Sequence, residues 1–156
     1  MRWNDHPIHV PKPINTSFPI LFLSNTHDPV TPLAAGLKMS AKFPSSGFVE
    51  QKSMGHCSIS AVSVCTIMKL RGYFRHGEVP GHPGAVVDGE WEKCEADEWP
   101  WHPFEGKWPD FVAARGEEGL SAAEVEAVGA AKELQEVFGR MNFFGVRADV
   151  WNFDHV

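Results

Sequence analysis

The sequence predicts an α/β chain built on two parallel strands, and three observations carry that prediction. Two short apolar runs, Phe18–Ser24 and Phe48–Gln51, are each followed by a stretch of helical spacing, giving the order strand–helix–strand–helix of a parallel sheet with right-handed crossovers. The first run lacks the polar–apolar alternation of a half-exposed strand, so both of its faces are expected to be covered. A strongly amphipathic helix follows much later in the chain, after a long stretch of no clear period.

Taken in order, residues 1–17 are polar and proline-rich and read as irregular. They contain the sequon Asn15-Thr16-Ser17, which is either a glycosylation site in a secretory compartment or a chance match. The strand Phe18–Ser24 runs into a turn cluster, Asn25-Thr26-His27-Asp28-Pro29. Thr31-Pro32 has the form of an N-cap followed by proline at the first helical position, opening a helix over Leu33–Phe43. Pro44-Ser45-Ser46-Gly47 ends it. The second strand, Phe48–Gln51, leads to a loop at Ser53-Met54-Gly55-His56. A helix from Ser60 to Phe74 is apolar almost all round (Val62, Val64, Ile67, Met68, Leu70, Phe74), which predicts burial on several sides. Residues 75–118 are rich in Gly, Pro and Trp and far exceed an ordinary connection, so they are a wrapping segment or partly disordered. Ser121-Ala122-Ala123-Glu124 is a capping box, with Leu120 and Val125 placed as a hydrophobic staple. Val125, Val128, Ala131, Leu134, Phe138 and Met141 step at three and four, so an amphipathic helix is expected over 121–139.

Composition narrows the function classes. The chain has 156 residues, 43% of them hydrophobic and 22% charged, which is one domain's worth of ordinary globular composition. A net charge of −6 and the lack of a basic stripe exclude a nucleic-acid surface. No apolar run approaches the roughly 18 residues of a membrane span. The first residues, Met1-Arg2-Trp3-Asn4-Asp5-His6-Pro7, have no apolar stretch of the signal-peptide kind.

Asp28 and His56 stand out together. Each follows a strand and precedes a helix, and parallel α/β sheets assemble their sites beyond the carboxyl ends of such strands. A carboxylate that accepts from one imidazole nitrogen fixes the tautomer and stabilises the imidazolium formed when the other nitrogen takes a proton. Taken singly, Asp28 before a proline is equally a turn or cap residue.

In their context these residues resemble a known family. Pro19-Ile20-Leu21-Phe22-Leu23-Ser24-Asn25-Thr26-His27-Asp28-Pro29-Val30-Thr31-Pro32-Leu33 is similar to the acid-bearing segment of the tripeptidyl-aminopeptidase-like serine peptidases, which are α/β-hydrolases. Gly55-His56-Cys57-Ser58, then Cys65-Thr66 and Arg71-Gly72-Tyr73-Phe74, resembles their histidine segment. The resemblance covers residues 14–104 and implies Asp28 as the triad acid and His56 as the triad base. It also implies removal of short peptides or amino acids from free N-termini, a peptide substrate, no cofactor, and secretion. The division it suggests is 1–17 irregular, 18–104 the C-terminal portion of an α/β-hydrolase, and 105–156 an extension carrying the last helix.

One part of the family pattern is missing. The Gly-x-Ser-x-Gly nucleophile elbow occurs nowhere in the 156 residues. Gly119-Leu120-Ser121-Ala122-Ala123 comes nearest, but it lies after His56 and is better explained as a helix cap. The family carries its serine well before the acid. The expectation is therefore the C-terminal portion of a serine-type aminopeptidase, inactive alone, with the N-terminal hydrolase portion as its partner. The alternative is a non-catalytic remnant that serves as a binding or assembly module.

The resemblance also implies a disulfide between Cys57 and Cys65. It would close a loop of about nine residues, contribute about 2–3 kcal/mol and pin the loop of His56, leaving Cys94 over for a partner in the upstream region. Reduced, buried thiols are the other reading. No paired ligand spacing of the zinc type occurs among the eight histidines and three cysteines, so no metal site is expected. Trp99, Trp101, Phe104, Trp108 and Phe111 form an aromatic cluster, either a peptide- or sugar-binding surface or rings packed over the hydrolase body.

Overall fold

The structure is a computed structural model and describes residues 12–98 and 121–140. In chain order the elements are β1 (Leu21–His27), α1 (Leu33–Ser40), β2 (Gly47–Met54), a 3-10 turn (Ser58–Ser60), α2 (Val64–His76), β3 (Glu92–Glu95) and α3 (Ala122–Arg140). The strands form one parallel sheet in the order β1-β2-β3. The α/β class is as the sequence predicts, with a third strand that it did not show. β3 lies inside the stretch read as irregular. Its four residues, Glu92-Lys93-Cys94-Glu95, bury only Cys94, so there is no apolar run to announce it.

Both expected strands run further toward the carboxyl end than predicted. β1 begins at Leu21 and extends through the residues read as a turn cluster, and β2 continues three residues past Gln51. The central, two-side-covered strand is β2, buried from Gly47 to Gln51, whereas Leu21–Ser24 of β1 are only half-buried because β1 is the sheet edge among the described residues. Leu21 pairs with Gly47 and Asn25 with Gln51. The register then slips, so that His27 faces Met54, with one extra residue in β2.

α1 packs over Phe22, Phe43 and Phe48, whose rings lie 5.9–6.5 Å apart between centroids. Gly36 permits that approach, since a Cβ there would stand 3.3 Å from the Phe48 ring. The helix stops at Ser40, earlier than expected, and Thr31 does not cap it. α2 begins at Val64, four residues later than expected, capped by Ser63, whose Oγ accepts from Thr66 N–H. It ends at Gly77 in the left-handed region (φ 71°). Val64 and Thr66, about 200° apart around the helix, are both buried, while Phe74 near its end is 76% exposed, so the cover is complete at its start and lost at its last turn.

α3 has the predicted capping box. Ser121 N–H donates to Glu124 Oε2 at 2.8 Å and Glu124 N–H to Ser121 Oγ at 3.4 Å. Leu120, Met141 and the side chain of Phe138 lie outside what is described, as does the aromatic cluster Trp99–Phe111. Val128 is fully buried against Val62 and Val64, flanked by Ile67 and Met68. The inward stripe of α3 is not the one expected. Leu134 is 47% exposed, because a helix turning about 100° per residue puts Lys132 and Gln135, not Leu134, beside Val128. Both reach Glu98, whose carboxylate also accepts from Val62 N–H at 3.0 Å.

The disulfide joins Cys65 to Cys94, with Cα atoms 5.4 Å apart, and corrects the expected Cys57–Cys65 bridge. Cys65 lies in the first turn of α2, over the sheet face on which the fully buried Cys94 sits beside Gln51. Cys57 is exposed and free, at the sheet's carboxyl edge. The unseen third strand supplies the partner.

Candidate acid–base site

β1 and β2 are parallel and so end at one edge of the sheet, and the two predicted site residues meet there. Asp28 directly follows β1. Its side chain is 3% exposed, and it is held by its own turn. Oδ1 accepts from Val30 N–H (2.8 Å) and Thr31 N–H (2.9 Å), and Oδ2 accepts from the Thr31 hydroxyl (2.7 Å). Thr31, expected as a helix cap, is spent on the carboxylate instead. Burial alone would push the Asp28 carboxyl up. The bonds from Thr31, Val30 and His56 outweigh it and hold the group well below the usual carboxylate range.

His56 lies in the loop after β2, and its side chain is about one-third exposed. Nδ1 stands 3.0 Å from both oxygens of Asp28. An ionised carboxylate only accepts, so Nδ1 carries the hydrogen and donates. Among the described residues no hydrogen bond reaches Nε2, which is left as the basic nitrogen. Asp28 thus sets the tautomer, and the imidazolium formed by protonation at Nε2 would lie against a fixed negative charge.

Cys57 follows His56 at φ 68°, the one non-glycine residue with positive φ among the described residues, and its N–H donates to Asp28 Oδ2 at 3.4 Å. Partial burial and the charge of Asp28 push its thiol up, so it is not a thiolate at neutral pH. Among the described residues no group of three or more His, Cys, Asp or Glu side chains has the arrangement of a metal site. No described helix is long and apolar enough to cross a membrane.

Two further residues at this edge, Asn25 and Gln51, escaped the sequence analysis. Both are buried amides facing the His56 loop. Asn25 was hidden in what reads as a turn cluster, and nothing local to Gln51 marks it.

No curated protein and no solved structure matches the chain. A family model described as TAP-like protein matches residues 2–86, which takes in β1, the Asp28 turn, β2, the His56 loop and α2, and stops short of β3. The match covers more than half of the sequence, and the parallel sheet, with Asp28 and His56 at its carboxyl edge, has the architecture that such a match requires: the chain belongs to the TAP-like family of α/β-hydrolase domains.

Proposed function

We propose that this chain supplies the acid and the base of a serine-type peptidase. Asp28 orients His56, and His56 Nε2 takes the proton of a nucleophile and returns it to the leaving amine. The bidentate Asp28–His56 contact carries the proposal. A deeply buried carboxylate held ionised, an imidazole locked in one tautomer, and a free Nε2 at a sheet's carboxyl edge are what general base catalysis needs. The serine would come from polypeptide outside these 156 residues, because no Gly-x-Ser-x-Gly segment is present. Cys57 does not stand in for it, since no hydrogen bond joins its thiol to His56 among the described residues. The substrate class, peptides cleaved near a free N-terminus, and an extracellular setting rest on the likeness of segments 19–33 and 55–74 to tripeptidyl-aminopeptidase-like enzymes.

Intact mass spectrometry of the native protein, with fluorophosphonate labelling, tests this. The purified 156-residue chain should not label, and rapid labelling would overturn the assignment of the serine elsewhere. A native species well above 17.3 kDa that contains this sequence should label. His56→Ala in that species should lower kcat by about 10⁴-fold, and an unchanged rate rejects the proposal. A native species of 17.3 kDa that does not label points to a non-catalytic module instead.

A further inference from the structure

We infer that Asn25 and Gln51 are a positioning pair that fixes the His56 loop relative to Asp28. The inference rests on the acid–base site proposed above. The two residues are direct partners in the β1–β2 register, so their side chains leave the same face of the sheet side by side. They are 0% and 1% exposed. Asn25 Nδ2 donates to Gly55 O (2.9 Å), Cys57 O (2.8 Å) and Ser60 Oγ (3.0 Å). Gln51 Nε2 donates to Ser53 Oγ (3.1 Å), Ser58 O (3.2 Å) and Ala61 O (3.0 Å). The carbonyls on either side of His56 therefore converge on one side-chain NH2 group. The rest of the turn converges on the neighbouring one.

The loop needs such partners. Between Met54 and Val64 it has only one short 3-10 turn; backbone N–H groups reach Cys57 O and Val62 O, and the carbonyls of Met54, Gly55, Ser58 and Ala61 accept from side chains. Ser60 Oγ closes the set by donating to Met54 O at 3.0 Å. The capture of Cys57 O also holds the unfavourable positive φ of Cys57, which turns the chain immediately after His56. The acid, by contrast, is fixed by Val30 and Thr31 within its own turn. Backbone bonds from Gly55 N–H to His27 O (3.1 Å) and from Cys57 N–H to Asp28 Oδ2 (3.4 Å) join the two turns, and Asn25, three residues before Asp28, adds a side-chain tie to the carbonyls on both sides of His56. Asn25 Oδ1 and Gln51 Oε1 have no hydrogen-bond partner among the described residues. An apolar pair would avoid that cost, so these positions hold amides for their NH2 groups.

The test is long-range ¹H–¹⁵N NMR of His56 in the full 156-residue chain, which reports the tautomer and the low-field Nδ1–H resonance. Asn25→Asp keeps the volume but turns a donor into an acceptor facing two carbonyls. Ser60→Ala removes one acceptor and the bond to Met54 O, and is the milder variant should Asn25→Asp not fold. Asp28→Ala is the reference for the acid–base pair itself. In the unaltered chain Nδ1–H should dominate, and Asp28→Ala should lower the Nδ1–H to Nε2–H ratio by about tenfold. Asn25→Asp should produce a loss of about the same size while methyl dispersion stays native, and Ser60→Ala a fall of about threefold. If Asp28→Ala shifts the ratio but folded Asn25→Asp, or Ser60→Ala where that does not fold, leaves it unchanged, the positioning role is overturned and the acid–base pair stands. If Asp28→Ala leaves the ratio unchanged, the pair itself is wrong and the positioning role goes with it.

Discussion

Replacing Asp28 by Asn tests the electrostatics of the site through stability, without any need for catalysis. The amide oxygen can take the Oδ1 position and keep the N–H groups of Val30 and Thr31, now as neutral acceptor rather than carboxylate. The amide nitrogen then occupies the Oδ2 position. The Thr31 hydroxyl can rotate to accept from it, and His56 Nδ1–H, which is also 3.0 Å from Oδ1, can keep the amide oxygen, but Cys57 N–H meets a donor. Three charge-assisted bonds, from Val30, Thr31 and His56, become neutral ones at a loss of about 1 kcal/mol each. Relief from burying a charge offsets part of this, leaving a net cost of about 2 kcal/mol. The sign of the pH dependence follows from the direction of the shift. Asp28 titrates lower in the folded chain than in the unfolded one, where a carboxyl lies near about 3.9. Its contribution is therefore complete above about pH 5 and disappears as pH falls through the folded value. Urea melts of both proteins at pH 7, 5, 4 and 3 should show a constant gap between pH 7 and 5 and a shrinking one below pH 4. A gap that does not change from pH 7 to 3, or an Asp28→Asn variant as stable as the parent at pH 7, would refute this account.

Two further predictions concern the supports around the site. Native thiol titration should find one reactive cysteine, Cys57, and peptide mapping should find Cys65 linked to Cys94. Reduction should cost about 3.6 kcal/mol for a separation of 29 residues, and three free thiols in the unreduced protein would reject the bridge. Lys132→Met removes the ion-pair partner of Glu98, whose side chain is 2% exposed, and should cost about 3 kcal/mol at pH 7. Burial pushes the Glu98 carboxyl up, but Lys132, Gln135 and Val62 N–H together hold it below its ordinary value. The penalty should therefore fade as pH drops below about 4.3, and the same penalty at pH 3 would show that packing, not charge, is what Lys132 contributes.

The elements that the sequence displays plainly are those whose buried residues are apolar. The runs at 18–24 and 48–51 and the stepping at Val125 and Val128 indicate two strands and a helix because they are apolar, with Phe48, Val49 and Val128 fully buried and Leu21–Leu23 half-buried. The capping box at Ser121 was legible for a different reason, since its partners lie three residues apart. β3 was illegible because its one inward residue is a cysteine flanked by Glu92, Lys93 and Glu95, and the Cys57–Cys65 pairing went wrong with it. The resemblance of the histidine segment had implied Cys57. A strand arriving 29 residues after Cys65 brought Cys94 under α2 instead.

The strand ends show the same limit at the site itself. Asn25, Thr26, Gln51 and Ser53 are polar residues of the kinds that elsewhere make turns or exposed strand positions, and local pattern alone places Asn25 in a loop. In the fold they are strand residues, and Asn25, Gln51 and Ser53 are fully buried. Their polarity is satisfied only once the chain folds back over them, when Asn25 and Gln51 bond the His56 loop and Thr26 bonds Glu50 Oε1 at 2.9 Å. Asn25 and Thr26 depend on partners some 24 to 35 positions away, which a window of a dozen residues does not contain. Asp28 and His56 were found because each lies just past a strand end and their segments resemble a known pattern. The residues that aim them were missed because their polarity, read locally, looked like the end of structure rather than its support.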